Sequence, residues 1–213
     1  MGLMGDTMNF RRVIAASLLA GAMSLTAGGS AHAQNFFQKL FQGSDNFGPQ
    51  ASGPGASLPY KYQRQRVRYE TNEKPGTIVI HSDEKFLYLV EGNGKALRYG
   101  VGVGREGFGW HGDVKIGRKA EWPGWTPPAE MIRRERKKGR ILPAYMEGGP
   151  QNPLGARAMY LYRGGNDTIF RIHGTSEPWT IGHNVSSGCI RMVNADVSDL
   201  YSRVPVGTKV VVR

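Results

Sequence analysis

The segment TIVIHSDEKFLYLVEGNGKALRYGVGV, residues 77–103, decides the fold class of this 213-residue chain. Three short runs rich in β-branched and aromatic residues, 77–80, 85–90 and 96–103, are separated by turn residues. The first turn is SDE at 82–84, and the second, GNG at 92–94, is a strong hairpin signal. The pattern therefore predicts three consecutive short strands.

Four further runs have strand character: DVKIGR at 113–118, AMYLY at 158–162, TIFRIH at 168–173 and TKVVV at 208–212. Thirty glycines and 12 prolines favour many turns. Two short helices are predicted, PAEMIRRERKKG at 128–139 and NADVSDLYSRV at 194–204, with Asn194 as the N-cap of the second. The expected fold class is mainly β, a sandwich or barrel with one or two short helices.

The N-terminus has the three parts of a secretory signal peptide. Arg11 and Arg12 are followed by an apolar run at 13–25 and by Ala31-His32-Ala33. We expect residues 1–33 to be removed after export to the periplasm or cell envelope, leaving no stable membrane span. An uncleaved membrane anchor is the alternative, disfavoured by the short apolar run.

Residues 34–75 predict a flexible basic linker, with a Gly- and Pro-rich stretch at 48–59 and KYQRQRVR at 61–68. Such a linker is either attracted to anionic wall polymers or lipid head groups, or is a solvated spacer. The folded domain is expected at 76–213. The formal net charge is +11, but the basic cluster at 133–138 predicts a solvated helix face, and no nucleic-acid partner is expected.

Cys189 is the single cysteine. Outside the cytoplasm structural cysteines come in pairs, so an unpaired thiol there is buried, links two chains or is reactive. Glycine and polar neighbours favour a reactive thiol over a packed core residue. One cysteine with scattered histidines lacks the spacing of zinc ligands, so neither a metal nor another cofactor is expected.

The surrounding segment, 171–192, reads RIHGTSEPWTIGHNVSSGCIRM. A thiol needs a base to become a thiolate, and His173 is the best candidate, with His183 as a rival and a core histidine as the alternative interpretation. Backbone amides around Gly188 and Cys189 are candidates for binding an oxyanion. Arg191 is predicted to hold a carboxylate, or to make a simple surface ion pair.

The motif HGT at 173–175, IG at 181–182 and SSGCIRM at 186–192 resembles the signature of the YkuD-like L,D-transpeptidases. The resemblance covers about 76–213 and extends to WPGWTPP at 122–128 and NPLGA at 152–156. Many members have histidine before the Gly-Cys pair, where this chain has Ser187. His173 is therefore the only base that matches the family pattern.

The resemblance implies an acyl-enzyme on Cys189 with His173 as base, oriented by the Gly174 carbonyl, and peptidoglycan stem peptides as donor and acceptor of a 3→3 cross-link. The candidate substrate-binding residues are Thr175, Ser186, Ser187, Gly188, Arg191 and Trp125, for which core packing is equally open. With water as acceptor the protein would be an L,D-carboxypeptidase. With a protein amine it would attach an envelope protein to the wall. The remaining alternatives are a non-catalytic wall-binding protein and a simple basic envelope-structural protein, which would need neither Cys189 nor His173.

Overall fold

The computed structural model describes residues 58–106 and 108–213. The predicted signal peptide and residues 34–57 of the predicted linker lie outside them. Along the described residues the strands are β1 (Gln65–Arg68), β2 (Ile78–His81), β3 (Phe86–Gly92), β4 (Lys95–Gly100), β5 (Val103–Gly104), β6 (Gly112–Glu121), β7 (Arg157–Arg163), β8 (Asn166–His173), β9 (Asn184–Ser186), β10 (Ile190–Arg191) and β11 (Lys209–Val212). The helices are α1 (Ala129–Lys137) and α2 (Asn194–Arg203).

Nine of these strands form one sheet in the order β1-β4-β3-β2-β11-β6-β7-β8-β10. The segment quoted first supplies the antiparallel meander β2-β3-β4. β11 lies between β2, to which it is parallel, and β6, to which it is antiparallel. β5 and β9 pair separately. The mainly β class with two short helices is confirmed.

Alternation along the strands produces the core. Ile78 and Ile80 of β2 are fully buried in the main apolar cluster, which also contains Leu97 of β4. α2 adds Val197 and Leu200, one helical turn apart, to the same cluster. No helix among the described residues is long and apolar enough to cross a membrane.

The second half of the predicted linker is folded, which corrects that expectation for residues 58–75. β1 pairs antiparallel with β4 at one edge of the sheet. Val67 and Tyr69 alternate with the basic residues and pack on a buried cluster of the sheet, and Arg66 forms an ion pair with Glu91 at 2.6 Å. The basic residues of this segment conceal the alternation of packed and exposed side chains that is typical of a strand.

Asn194 does not cap α2, so that prediction was wrong. Val193 occupies the N-cap position, and no side chain caps the helix there. The Asn194 carbonyl oxygen Oδ1 instead accepts hydrogen bonds from the backbone amides of Ala156, at 2.9 Å, and Thr175, at 3.2 Å. Two loop amides distant in sequence thus compete successfully with the helix for this acceptor.

Candidate active site

His173 and Cys189 are brought together by neighbouring strands. β8 and β10 are parallel, with Ile172 opposite Ile190 and His173 opposite Arg191. Cys189 immediately precedes β10, and His173 is the last residue of β8. Both residues line one cleft of about 630 Å³. The sheet register therefore places two residues 16 positions apart in sequence on a common wall.

His173 is held in one tautomer. Its Nδ1 lies 2.6 Å from the carbonyl oxygen of Gly174. Because a carbonyl oxygen can only accept a hydrogen bond, Nδ1 carries the proton and Nε2 keeps its lone pair. Burial, reinforced by the charge of Arg191, lowers the pKa of His173 to about 3. The ring is thus a neutral base at neutral pH.

Cys189 is half-buried. Burial raises the pKa of its thiol above the ordinary value, so the resting site pairs a neutral thiol with a neutral imidazole. Its Sγ lies 4.0 Å from the carbonyl oxygen of Ile169. Ile169 has a φ of 63°, a strained conformation for a β-branched residue, and such strain is concentrated at functional sites.

The loop before Cys189 is fixed by its own hydrogen bonds. Ser186 Oγ donates to the Cys189 carbonyl at 2.6 Å and accepts from the Gly188 amide at 3.1 Å. Trp110 Nε1 donates to the Gly188 carbonyl at 2.9 Å. Gly188 has a φ of 106°, and a Cβ there would collide with the ring of Phe170. The Gly188 amide is therefore engaged within the loop, which corrects its assignment to an oxyanion site.

Arg191, in β10 directly after this loop, forms a buried ion pair. Its Nη1 is 3.2 Å from Glu177 Oε2, and the two side chains are only 4% and 6% exposed. Burial lowers the pKa of Arg191 and raises the pKa of Glu177. The alternative interpretation of Arg191, a simple surface ion pair, was thus wrong, because the ion pair is buried. The sequence did not predict Glu177 as the partner of Arg191, although it is the only acidic residue between 174 and 192.

The other predicted substrate contacts divide in two. Ser186, Ser187, Arg191 and Trp125 line the cleft. Thr175 does not line it: its Oγ1 accepts a hydrogen bond from the Glu177 amide at 3.0 Å and so shapes the loop. The rival base His183 is also outside the cleft lining.

A second wall of the cleft is formed by the segment between β6 and β7, which contains α1. Trp125 and Met131 are buried there in a small apolar cluster with Leu142, Met146 and Leu154 packed around them. Arg134 of α1 lines the cleft and donates from Nη2 to Ser187 Oγ at 3.2 Å. Arg134 was missed, because the sequence assigned it to a solvated helix face. Residues 58–106 and 108–213 contain no cluster of His, Cys, Asp and Glu able to hold a metal.

The sequence model of the YkuD family, described as the L,D-transpeptidase catalytic domain, matches residues 75–212. The chain belongs to the L,D-transpeptidase family. This agrees with the resemblance carried by the cysteine-centred motif.

Two L,D-transpeptidase relatives come from Escherichia coli K12. The probable L,D-transpeptidase YbiS is 39% identical over 62% of this chain and 43% of the relative. The probable L,D-transpeptidase ErfK/SrfK is 35% identical over 79% of this chain and 51% of the relative. The chain thus spans about half the length of these relatives.

A solved structure from Brucella melitensis, described as a probable carnitine operon oxidoreductase, is 52% identical and covers 73% of this chain and 96% of that chain. Its TM-score of 0.49 is too low to bear on activity.

Proposed function

We propose that this protein is an exported peptidoglycan L,D-transpeptidase that forms an acyl-enzyme on Cys189 and transfers the stem peptide to an amine. One observation carries the proposal: a neutral His173, fixed by the Gly174 carbonyl with Nε2 unprotonated, lines the same cleft as the only cysteine. A nucleophile, a base and a group that orients the base are the three parts of a cysteine acyltransferase.

In the acylation half-reaction, Cys189 Sγ attacks the carbonyl that joins the L-centre of meso-diaminopimelate to the terminal D-Ala of a donor tetrapeptide. The thiol proton passes to Nε2 of His173 as the C–S bond forms, because the resting thiol is not ionised. Collapse of the tetrahedral intermediate breaks the C–N bond. His173 returns the proton to the departing D-Ala amine, which leaves a thioester.

In the second half-reaction, the side-chain amine of another stem attacks the thioester. His173 takes the amine proton, the new amide bond forms, and the sulfur leaves to be reprotonated. The product is a 3→3 cross-link. Attack by water would give an L,D-carboxypeptidase, and attack by a protein amine would attach an envelope protein, through the same acyl-enzyme.

Export and the wall as the site of action are part of the proposal. They rest on the signal-like residues 1–33 and on the net charge of +11, which suits a polymer rich in carboxylates. The family assignment supports the same location, because peptidoglycan lies outside the cytoplasmic membrane.

The test is intact-mass analysis after mixing with a tetrapeptide donor, comparing wild type with Cys189→Ala. We expect the mass of the wild type to increase by that of one stem peptide without its D-Ala, with release of D-Ala. The mass of the variant should not change. His183→Gln is a matched control, because this histidine lies outside the cleft, and it should acylate at the wild-type rate.

Adding an amine-bearing stem then identifies the acceptor. A cross-linked dimer supports transpeptidation, whereas a tripeptide alone supports the carboxypeptidase. Wild type that is not acylated, and binds purified sacculi as well as Cys189→Ala does, would overturn the enzymatic proposal in favour of a wall-binding protein.

A further inference from the structure

Two residues of opposite charge project from α1 into the cleft. Glu130 and Arg134 are four positions apart, one helical turn, and both line the cleft that contains Cys189. We propose that Glu130 and Arg134 form a subsite for the zwitterionic end of a diamino-acid side chain in the donor stem. The inference rests on the proposed function and assigns the residues that select its donor.

Arg134 is held in position before any ligand binds. Its Nε lies 3.2 Å from Glu135 Oε1, and Glu135 is buried. Its Nη2 donates to Ser187 Oγ at 3.2 Å, and its guanidinium carbon lies 5.5 Å from the centre of the Phe108 ring. A planar guanidinium fixed in this way loses little entropy on binding a carboxylate.

Glu130 is left available by the same arrangement. A glutamate four residues before an arginine on a helix ordinarily forms an ion pair with it. Among residues 58–106 and 108–213 Glu130 forms no ion pair, because Arg134 is turned toward Glu135 and Ser187. The Glu130 carboxylate is exposed at the cleft. One helix turn therefore presents a carboxylate and a guanidinium from two residues whose Cβ atoms lie about 5–6 Å apart.

The position of the pair indicates which substrate group it contacts. Ser187, the partner of Arg134, is two residues before Cys189, so the guanidinium lies close to the acylation site. At the scissile carbonyl the donor carries a diaminopimelate, whose side chain ends in a carbon bearing both an ammonium and a carboxylate. The ammonium matches Glu130 and the carboxylate matches Arg134. A lysine side chain offers the ammonium alone.

The experiment compares two tetrapeptide donors that differ only at the third position, meso-diaminopimelate or L-lysine. Acylation of Cys189 is followed by intact mass in single turnovers without acceptor. We expect wild type to prefer the diaminopimelate donor by about ten- to a hundredfold, the loss typical of removing one charge-assisted hydrogen bond. Arg134→Gln should collapse this ratio toward one, whereas Glu130→Gln should slow both donors and keep the ratio.

Matched controls come from the same helix. Arg133 and Arg136 are exposed and outside the cleft, so Arg133→Gln and Arg136→Gln should keep the wild-type ratio. Arg134→Lys, which keeps the charge and loses the planar fork, provides a second variant and should retain part of the preference. The rate of Cys189 alkylation by iodoacetamide reports whether each variant keeps its nucleophile accessible.

The outcomes separate the two proposals. Equal acylation of wild type by both donors, or an unchanged ratio in Arg134→Gln, would overturn the subsite and leave the acyl-enzyme intact. No acylation by either donor would overturn the proposed function, and the subsite with it.

Discussion

The two walls of the cleft are stabilised in different ways. The sheet wall carries His173 and Cys189, and beside them the Arg191–Glu177 pair is almost inaccessible to solvent. The helical wall is held by the small cluster around Trp125 and Met131, separate from the main core. Its charged residues, Glu130 and Arg134, are partly or fully exposed to the cleft.

Under the two proposals above, the sheet wall carries out the reaction and the helical wall selects the substrate. Reactive groups require a fixed geometry and protonation state, and burial supplies both, since it excludes water and shifts the pKa of His173. Groups that select a charged substrate must stay accessible, and an exposed helix turn provides that access. Changes on the sheet wall should therefore alter reactivity and stability, whereas changes on the helical wall should alter the choice of substrate.

The largest effect is expected from His173→Gln. Without a base, acylation should slow by about a hundredfold or more. The variant also tests the neutral state of the ring. The pKa of His173 is about 3 in the folded protein, below the ordinary histidine value of 6.5, so the unfolded chain binds more protons between these pH values.

The stabilisation from a neutral His173 is therefore fully present above pH 6.5 and is lost as the pH falls toward 3, by up to about 1.4 kcal/mol per pH unit. Urea unfolding of wild type and His173→Gln across this range measures the difference. A constant difference between the two proteins would contradict a neutral buried ring.

Breaking the buried Arg191–Glu177 ion pair is expected to have the next largest effect. Glu177→Gln leaves the Arg191 charge buried beside a neutral amide, which should lower the free energy of unfolding by about 3–5 kcal/mol. Urea unfolding at pH 7 measures the loss. Glu121→Gln is the matched control, because Glu121 pairs with Arg157 at 3.1 Å but is largely exposed, and it should cost about 0–1 kcal/mol. Equal losses would remove the distinction between buried and exposed pairs.

Trp110→Phe should have the smallest effect. It removes the donor to the Gly188 carbonyl and keeps an aromatic ring to stack on Phe170. We expect a loss of about 1 kcal/mol in unfolding free energy and about a fivefold slower acylation, because Trp110 positions the nucleophile loop without touching the reacting atoms. An unchanged acylation rate would show that Ser186 alone fixes the loop.

Local pattern was sufficient for most of the strands. Runs rich in β-branched and aromatic residues, bounded by turn residues, predicted β2, β3, β4 and β8, because these signals depend on neighbouring residues. The prediction was wrong at 65–68, where basic side chains concealed a strand that forms only by pairing with β4. It was wrong again at Asn194, whose oxygen binds amides 38 and 19 positions away.

The sequence by itself determined the fold class, through short strand-forming runs and glycine-rich turns, and it determined the family and the two residues of the proposed acyl transfer through the motif at 173–192. Only the tertiary structure decided that Arg191 is buried against Glu177, that the Gly188 amide is engaged by Ser186, and that Arg134 faces the cleft. Arg134 and Ser187 are 53 positions apart. The charge of a side chain can be read from the sequence, but its partner and its access to solvent depend on which distant segments pack against it.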